Sequence, residues 1–215
     1  AEERDGEFPL WLPWMFSGLP SVHSFQNISD YYYPYKIFKI FRDFGVLRFY
    51  EFIVHFVFAG LGMLLLLRNL KCNFISSIFG ATSYMTMPYL IANLVHGHGS
   101  LMMTAAYIPW VMWALLNLFK KKNLLSMGIL GLLVGFQLQR AHVQIAYYTW
   151  MMVGLYVLFY IIKSIYNKED IFFSKSNPLL LLLGALVLGI GLAASIYFPA
   201  ISYIHYSTRA SVGGG

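Results

Sequence analysis

Polar positions along this chain are sparse and grouped, and between the groups run six mostly apolar stretches, residues 49–67, 74–95, 101–119, 124–138, 143–162 and 178–198. A bilayer-spanning helix needs about 20 predominantly apolar residues. The pattern therefore predicts an all-α fold, a polytopic transmembrane helical bundle with about six spans in the sequence given. The stretch 74–95 is the weakest, because Ser76, Ser77, Thr82, Ser83, Thr86 and Asn93 dilute it and Pro88 interrupts its hydrogen-bond ladder. Such a segment is tolerated when it is buried among other helices or lines a cavity. Residues 124–162 contain no proline, yet one helix of that length would run about 60 Å, twice the hydrocarbon core. The chain must turn inside "QLQRAH".

Ahead of the first span, "YYYPYKIFKIFRDFGVLRFY" (31–50) sets Lys36, Lys39, Arg42 and Arg48 opposite Ile37, Phe38, Ile40, Phe41 and Phe44. That spacing predicts an amphipathic helix lying in the membrane interface. Three regions follow: an external loop with the interfacial helix (1–48), the helical bundle (49–198), and the start of an external segment (199–215). The start "AEERDGEF" and the end "ASVGGG" read as the edges of a fragment, with an upstream anchor and downstream sequence expected.

The connectors "RNLKCN", "KKKN" and "KSIYNKEDIFFSKSN" hold Arg68, Lys71, Lys120–Lys122, Lys163, Lys168 and Lys175. They alternate with connectors holding only His96, His98, Arg140 and, after the last span, Arg209. The basic connectors are expected on the cytoplasmic side and the others outside.

Composition agrees, at 59% hydrophobic, 18% aromatic and 11% charged residues with a mean hydropathy of +0.62. The net charge of +6 comes from short clusters between apolar runs, which are loop anchors and not a nucleic-acid-binding face. Nucleic acid is excluded as a partner and membrane lipid is implied. The single cysteine, Cys72, forms neither an internal disulfide nor a CxxC site.

The candidate chemistry lies on the external side. "GFQLQRAHVQIAYY" (135–148) places Gln137, Gln139, Arg140, His142 and Gln144 inside otherwise apolar sequence, and with a turn there Gln137, Arg140 and Gln144 are expected to converge. A guanidinium is costly in hydrocarbon but grips a phosphate bidentately at headgroup level; the alternative is a snorkelling anchor. "NLVHGHGS" sets His96 and His98 two apart beside glycines. A divalent metal is the one cofactor this pair admits, although no carboxylate adjoins it to complete the ligand set. "RDGEFPLWLPWMFSGLPSVHSF" is a proline- and tryptophan-rich loop with Asp5 and Glu7. A carboxylate near an arginine supplies what glycosyl transfer from a lipid phosphate needs, a base for the acceptor hydroxyl and a cation for the leaving phosphate. Trp11 and Trp14 read as interfacial belt residues. Arg209, in "YSTRA", offers a second cation.

Taken together, "PLWLPWMFSGLPS" (9–21), "HGHGSLMMTAAYIPW" (96–110), "QLQRAHVQIAYY" (137–148) and "YSTR" (206–209) resemble the YfhO family of bacterial membrane proteins. That family is similar in layout to the GT-C class of glycosyltransferases, whose first external loop holds an acidic catalytic residue and which take sugar from a polyprenyl-phosphate carrier. The resemblance implies a bacterial cytoplasmic (inner) membrane enzyme with its active face extracytoplasmic, and an envelope glycan, lipid or protein as acceptor. It gives Asp5 or Glu7 the role of base, Arg140 or Arg209 that of phosphate ligand, and has His96, His98 and His142 line the cavity. Where related sequences carry an amide and a lysine after Gly-His, this chain has Gly99, Ser100 and Leu101. The rival readings are a transporter or flippase for a lipid-linked substrate and a non-catalytic membrane partner.

Overall fold

The computed structural model describes residues 10–13, 18–21, 24–25, 28–45, 49–168 and 177–204. A short antiparallel pair, β1 (Trp11–Leu12) with β2 (Leu19–Pro20), ties the first loop. Gly18 sits there at φ 112°, and a Cβ on it would stand 2.6 Å from the Trp11 ring. A 3-10 helix, Ile28–Tyr31, then leads into α1 (Tyr35–Asp43).

α1 is a helix where the spacing predicts one. Tyr35 and Phe38 turn toward the protein, whereas Ile37, Ile40, Phe41 and Phe44 are exposed along a second side. That apolar stripe matches a helix lying in a headgroup layer. The remaining helices are α2 (Tyr50–Asn69), α3 (Phe74–Met85), α4 (Pro88–Val95), α5 (Gly99–Ala106), α6 (Ile108–Lys121), α7 (Leu124–Gln139), α8 (Val143–Tyr166) and α9 (Pro178–Ile204).

Four helical runs are long and apolar enough to cross a membrane: α2, α5 with α6 as one run, α8 and α9. They mark a membrane-embedded, all-α protein. Two of the six expected stretches, 74–95 and 124–138, form shorter helices, for two local reasons. Pro88 has no backbone N–H to continue α3 and instead opens α4, so 74–95 divides into helices of 12 and 8 residues. α7 has 16 residues, about 24 Å against a hydrocarbon core of about 30 Å. The turn inside "QLQRAH" is present, with Ala141 at φ 54° between α7 and α8. α9 runs past the expected boundary at Phe198 and through Pro199 to Ile204.

The helix ends form two chemically different faces. At one, the side chains of Asn73, Asn123 and Asn177 accept hydrogen bonds from the backbone N–H groups of Ser76, Ser126 and Leu179 at 2.8, 2.9 and 2.9 Å, capping α3, α7 and α9. Lys71 and Lys122 close α2 and α6 in the left-handed conformation on this same lysine-bearing face. The other face carries Arg140 and the loops before α2 and between α4 and α5.

α5 is buried from Leu101 to Ala106 and forms the centre, with α2, α4, α7 and α8 around it. Helices in a bilayer gain nothing by hiding apolar surface from lipid, so close packing and interhelical hydrogen bonds must hold them. Trp110 shows both: its ring lies against Gly62, stacks on Phe58 at 4.7 Å, and its Nε1 donates to the Phe58 carbonyl at 2.7 Å. Tyr84 donates to the Ala105 carbonyl at 2.9 Å, tying α3 to α5.

Candidate functional site

Arg140 is the C-cap of α7, where the helix dipole favours a cation. Its side chain does not snorkel to solvent. It is 7% exposed, its guanidinium carbon stands 4.7 Å from the centre of the Tyr32 ring, and its Nε has no hydrogen-bond partner among the described residues. Burial lowers the guanidinium's pKa from its ordinary value, while Tyr32 and then Glu51, in the first turn of α2, act in the opposite direction. The group remains a cation, as arginine does in proteins.

Tyr32 connects this cation to a buried hydrogen-bond chain. The Nδ1 of His55 lies 2.6 Å from the Glu51 backbone carbonyl, which only accepts, so Nδ1 carries the proton. The neutral ring then accepts through Nε2 from the Tyr32 hydroxyl at 3.0 Å, and Tyr32 in turn accepts from Tyr107. Burial pushes the Tyr32 phenol up to about 12, so it stays protonated throughout the physiological range. An apolar cavity of about 260 Å³ adjoins the chain, bounded by Tyr32, His55 and Tyr107 with Phe38, Phe58 and Phe136 among its walls. It is smaller than a typical small-molecule site of roughly 300–1,000 Å³ and suits one apolar portion of a larger ligand.

Tyr32→Phe tests the chain without removing the ring beneath Arg140. The substitution leaves the His55 Nε2 without its donor and the Tyr107 hydroxyl without its acceptor, an expected cost of about 1–3 kcal/mol. The melting temperature should fall by several degrees, since about 2–4 °C accompanies each kcal/mol at this chain length. An unchanged melting temperature would show that the chain contributes nothing to the fold.

The glutamines divide instead of converging. Gln137 points inward, its Nε2 donating to the Thr149 hydroxyl at 2.8 Å and the Thr104 carbonyl at 3.3 Å. Gln139 accepts from the backbone N–H of Tyr33 at 3.2 Å and donates to the Leu192 carbonyl at 2.8 Å, pinning the first loop and α9 to the end of α7. Gln144 lies beyond the turn on an outward face, bonded to the Tyr148 hydroxyl at 2.9 Å. It does not join Arg140, because the left-handed Ala141 redirects the chain before α8 begins.

His96 and His98 are both exposed, and His96 bonds its Nδ1 back to the Ala92 carbonyl at 2.7 Å. His142 is half-buried near His98; burial first, and then that neighbouring histidine, lower its pKa. Among the described residues no group of three or more His, Cys, Asp or Glu side chains is placed to hold a metal ion. Asp5, Glu7, Trp14 and Arg209 lie outside the described residues.

Three residues central to the site were absent from the sequence-based candidates: Tyr32, His55 and Tyr107. His55 carries the clearest signal, an ionisable side chain one and a half turns into an apolar span. No family model, no curated protein and no solved structure matches this chain.

Proposed function

We propose that this chain belongs to a membrane glycosyltransferase that moves a sugar from a polyprenyl-phosphate donor to an extracytoplasmic cell-envelope acceptor, and that Arg140 receives the donor's phosphate. In this reading α3–α4 and α7 cross the bilayer with the four long helical runs, giving six crossings in a GT-C-like layout. The Arg140 face is extracytoplasmic and the lysine face cytoplasmic.

The observation that carries the reading is the buried guanidinium, its Nε without a partner among the described residues, stacked on the Tyr32 ring that also bounds an apolar cavity. A buried N–H without an acceptor is costly, and a lipid phosphate supplies the acceptor while its hydrocarbon suits the cavity wall. Two of the segments that resemble the YfhO family also meet here, one contributing Tyr107 and the other Arg140. In the transfer, the acceptor hydroxyl oxygen forms a bond to the anomeric carbon as the bond from that carbon to the phosphate oxygen breaks. The phosphate leaves with the electron pair, held by Arg140, and the hydroxyl proton passes to Asp5 or Glu7 of the first loop.

The test supplies the purified protein with radiolabelled polyprenyl-phosphate hexoses and envelope lipid extract. Label is expected to move from the carrier to an envelope acceptor. Carrier that binds or crosses the bilayer with its label still attached, for every sugar tried, would replace this reading with that of a flippase or a non-catalytic partner.

A further inference from the structure

On the lysine face, away from Arg140, α6 and α8 leave a cleft of about 250 Å³ between them. Its inner wall is Phe119, held edge-on by Tyr156 at 5.2 Å and Tyr160 at 4.7 Å. Lys120 on α6 and Lys163 on α8 line it from either helix, and both are exposed. The cleft thus combines two cations and phenol groups with an aromatic floor.

Depth places these lysines together. Counted from the starts of α5 and α8 on the Arg140 face, each lies about 20 residues along its run, a rise of about 30 Å, which equals the hydrocarbon thickness. Both therefore reach the opposite headgroup layer. The outer side of α8 continues apolar from the cleft back toward the membrane centre, with Leu155, Leu158, Phe159 and Ile162 exposed. The cleft lies at helix C-termini, whose dipoles repel an anion, so the attraction must come from the two side chains.

We propose that this cleft is a headgroup site for an anionic phospholipid, with the phosphodiester between Lys120 and Lys163 and the acyl chains along α8. Basic pockets between membrane helices recognise acidic headgroups through this combination of charge and shape. Aromatic walls and an apolar continuation distinguish the site from a patch of loop anchors, which attracts anions without holding them at one place.

The experiment titrates the purified full chain with phosphatidylglycerol, phosphatidylcholine or inorganic phosphate and follows binding by native mass spectrometry and thermal shift. Two double variants remove the same charge: Lys120→Gln with Lys163→Gln inside the cleft, and Lys71→Gln with Lys122→Gln outside it. Wild type should prefer phosphatidylglycerol over phosphatidylcholine by roughly tenfold or more, the cleft pair should lose that preference, and the outer pair should keep it to within about threefold. Equal binding of the two lipids by wild type, or equal losses in the two variants, would overturn the proposal. Displacement of phosphatidylglycerol by inorganic phosphate at matching affinity would also overturn it, because the ligand would then be a free anion. Melting temperatures measured without lipid separate loss of the site from loss of the fold.

Discussion

Arg140→Ala is expected to weaken binding of a polyprenyl-phosphate carrier by about a hundredfold or more. Each hydrogen bond to a charged group contributes about 1.5–3 kcal/mol, and a guanidinium offering Nε–H with a neighbouring Nη–H makes two such bonds to one phosphate. Two bonds give at least about 3 kcal/mol, and each 1.4 kcal/mol is tenfold in affinity. Arg140→Lys keeps the charge but loses the planar fork and its stack on Tyr32, so an intermediate loss of about tenfold is expected. The order alanine, lysine, arginine in rising affinity separates phosphate capture from a structural role. If Arg140 only braced Tyr32, the two variants would lower the melting temperature while the folded fraction bound carrier normally. Carrier fluorescence quenching beside thermal melting checks both, and an Arg140→Ala protein binding within threefold of wild type ends the phosphate assignment.

Local rules carried much of this fold in advance. The turn inside "QLQRAH" followed from length alone, the weak point of 74–95 from the missing N–H of Pro88, and α1 from charges recurring every three or four residues. Helix length was less legible, because hydropathy counts apolar residues whereas the length of a helix depends on an unbroken hydrogen-bond ladder. The candidate site was half legible: Arg140 stood out as a cation within apolar sequence, but its partners did not. Tyr32 lies 108 positions before it, and Tyr107 meets Tyr32 across 75 positions, so no spacing rule connects them. The expected meeting of Gln137, Arg140 and Gln144 failed because side-chain direction after a turn depends on one backbone angle, that of Ala141. His55 carried a signal as an ionisable group inside an apolar span but was not among the candidates, and what it bonds was not legible.

The second large effect belongs to the packing that holds Arg140 in place. α7 and α9 run parallel, and their contact is built from Gly131 and Gly135 on one helix with Ala185 and Gly189 on the other, small residues four apart that let backbones approach. A Cβ on Gly189 would stand 2.6 Å from the Val134 Cγ1 and 3.1 Å from the Gly131 carbonyl oxygen. The first neighbour is a branched side chain whose Cβ also lies at 3.0 Å, and the second is backbone, which moves only if the helices part. Gly189→Leu is therefore expected at the upper end of the overpacking range, about 3 kcal/mol, and to lower the melting temperature by about 6–12 °C. Gly191→Leu, two residues on, is the matched control, since its Cβ meets nothing within 4 Å. It gains helix propensity of somewhat under 1 kcal/mol and should melt no lower than the parent. Parting α7 from α9 would also loosen the bond from Gln139 to the Leu192 carbonyl and that from Tyr197 to the Leu138 carbonyl. Gly189→Leu should accordingly weaken carrier binding even below its melting range, with Gly191→Leu unaffected. Equal melting of the two variants would mean that the close approach of α7 and α9 does not hold the bundle together.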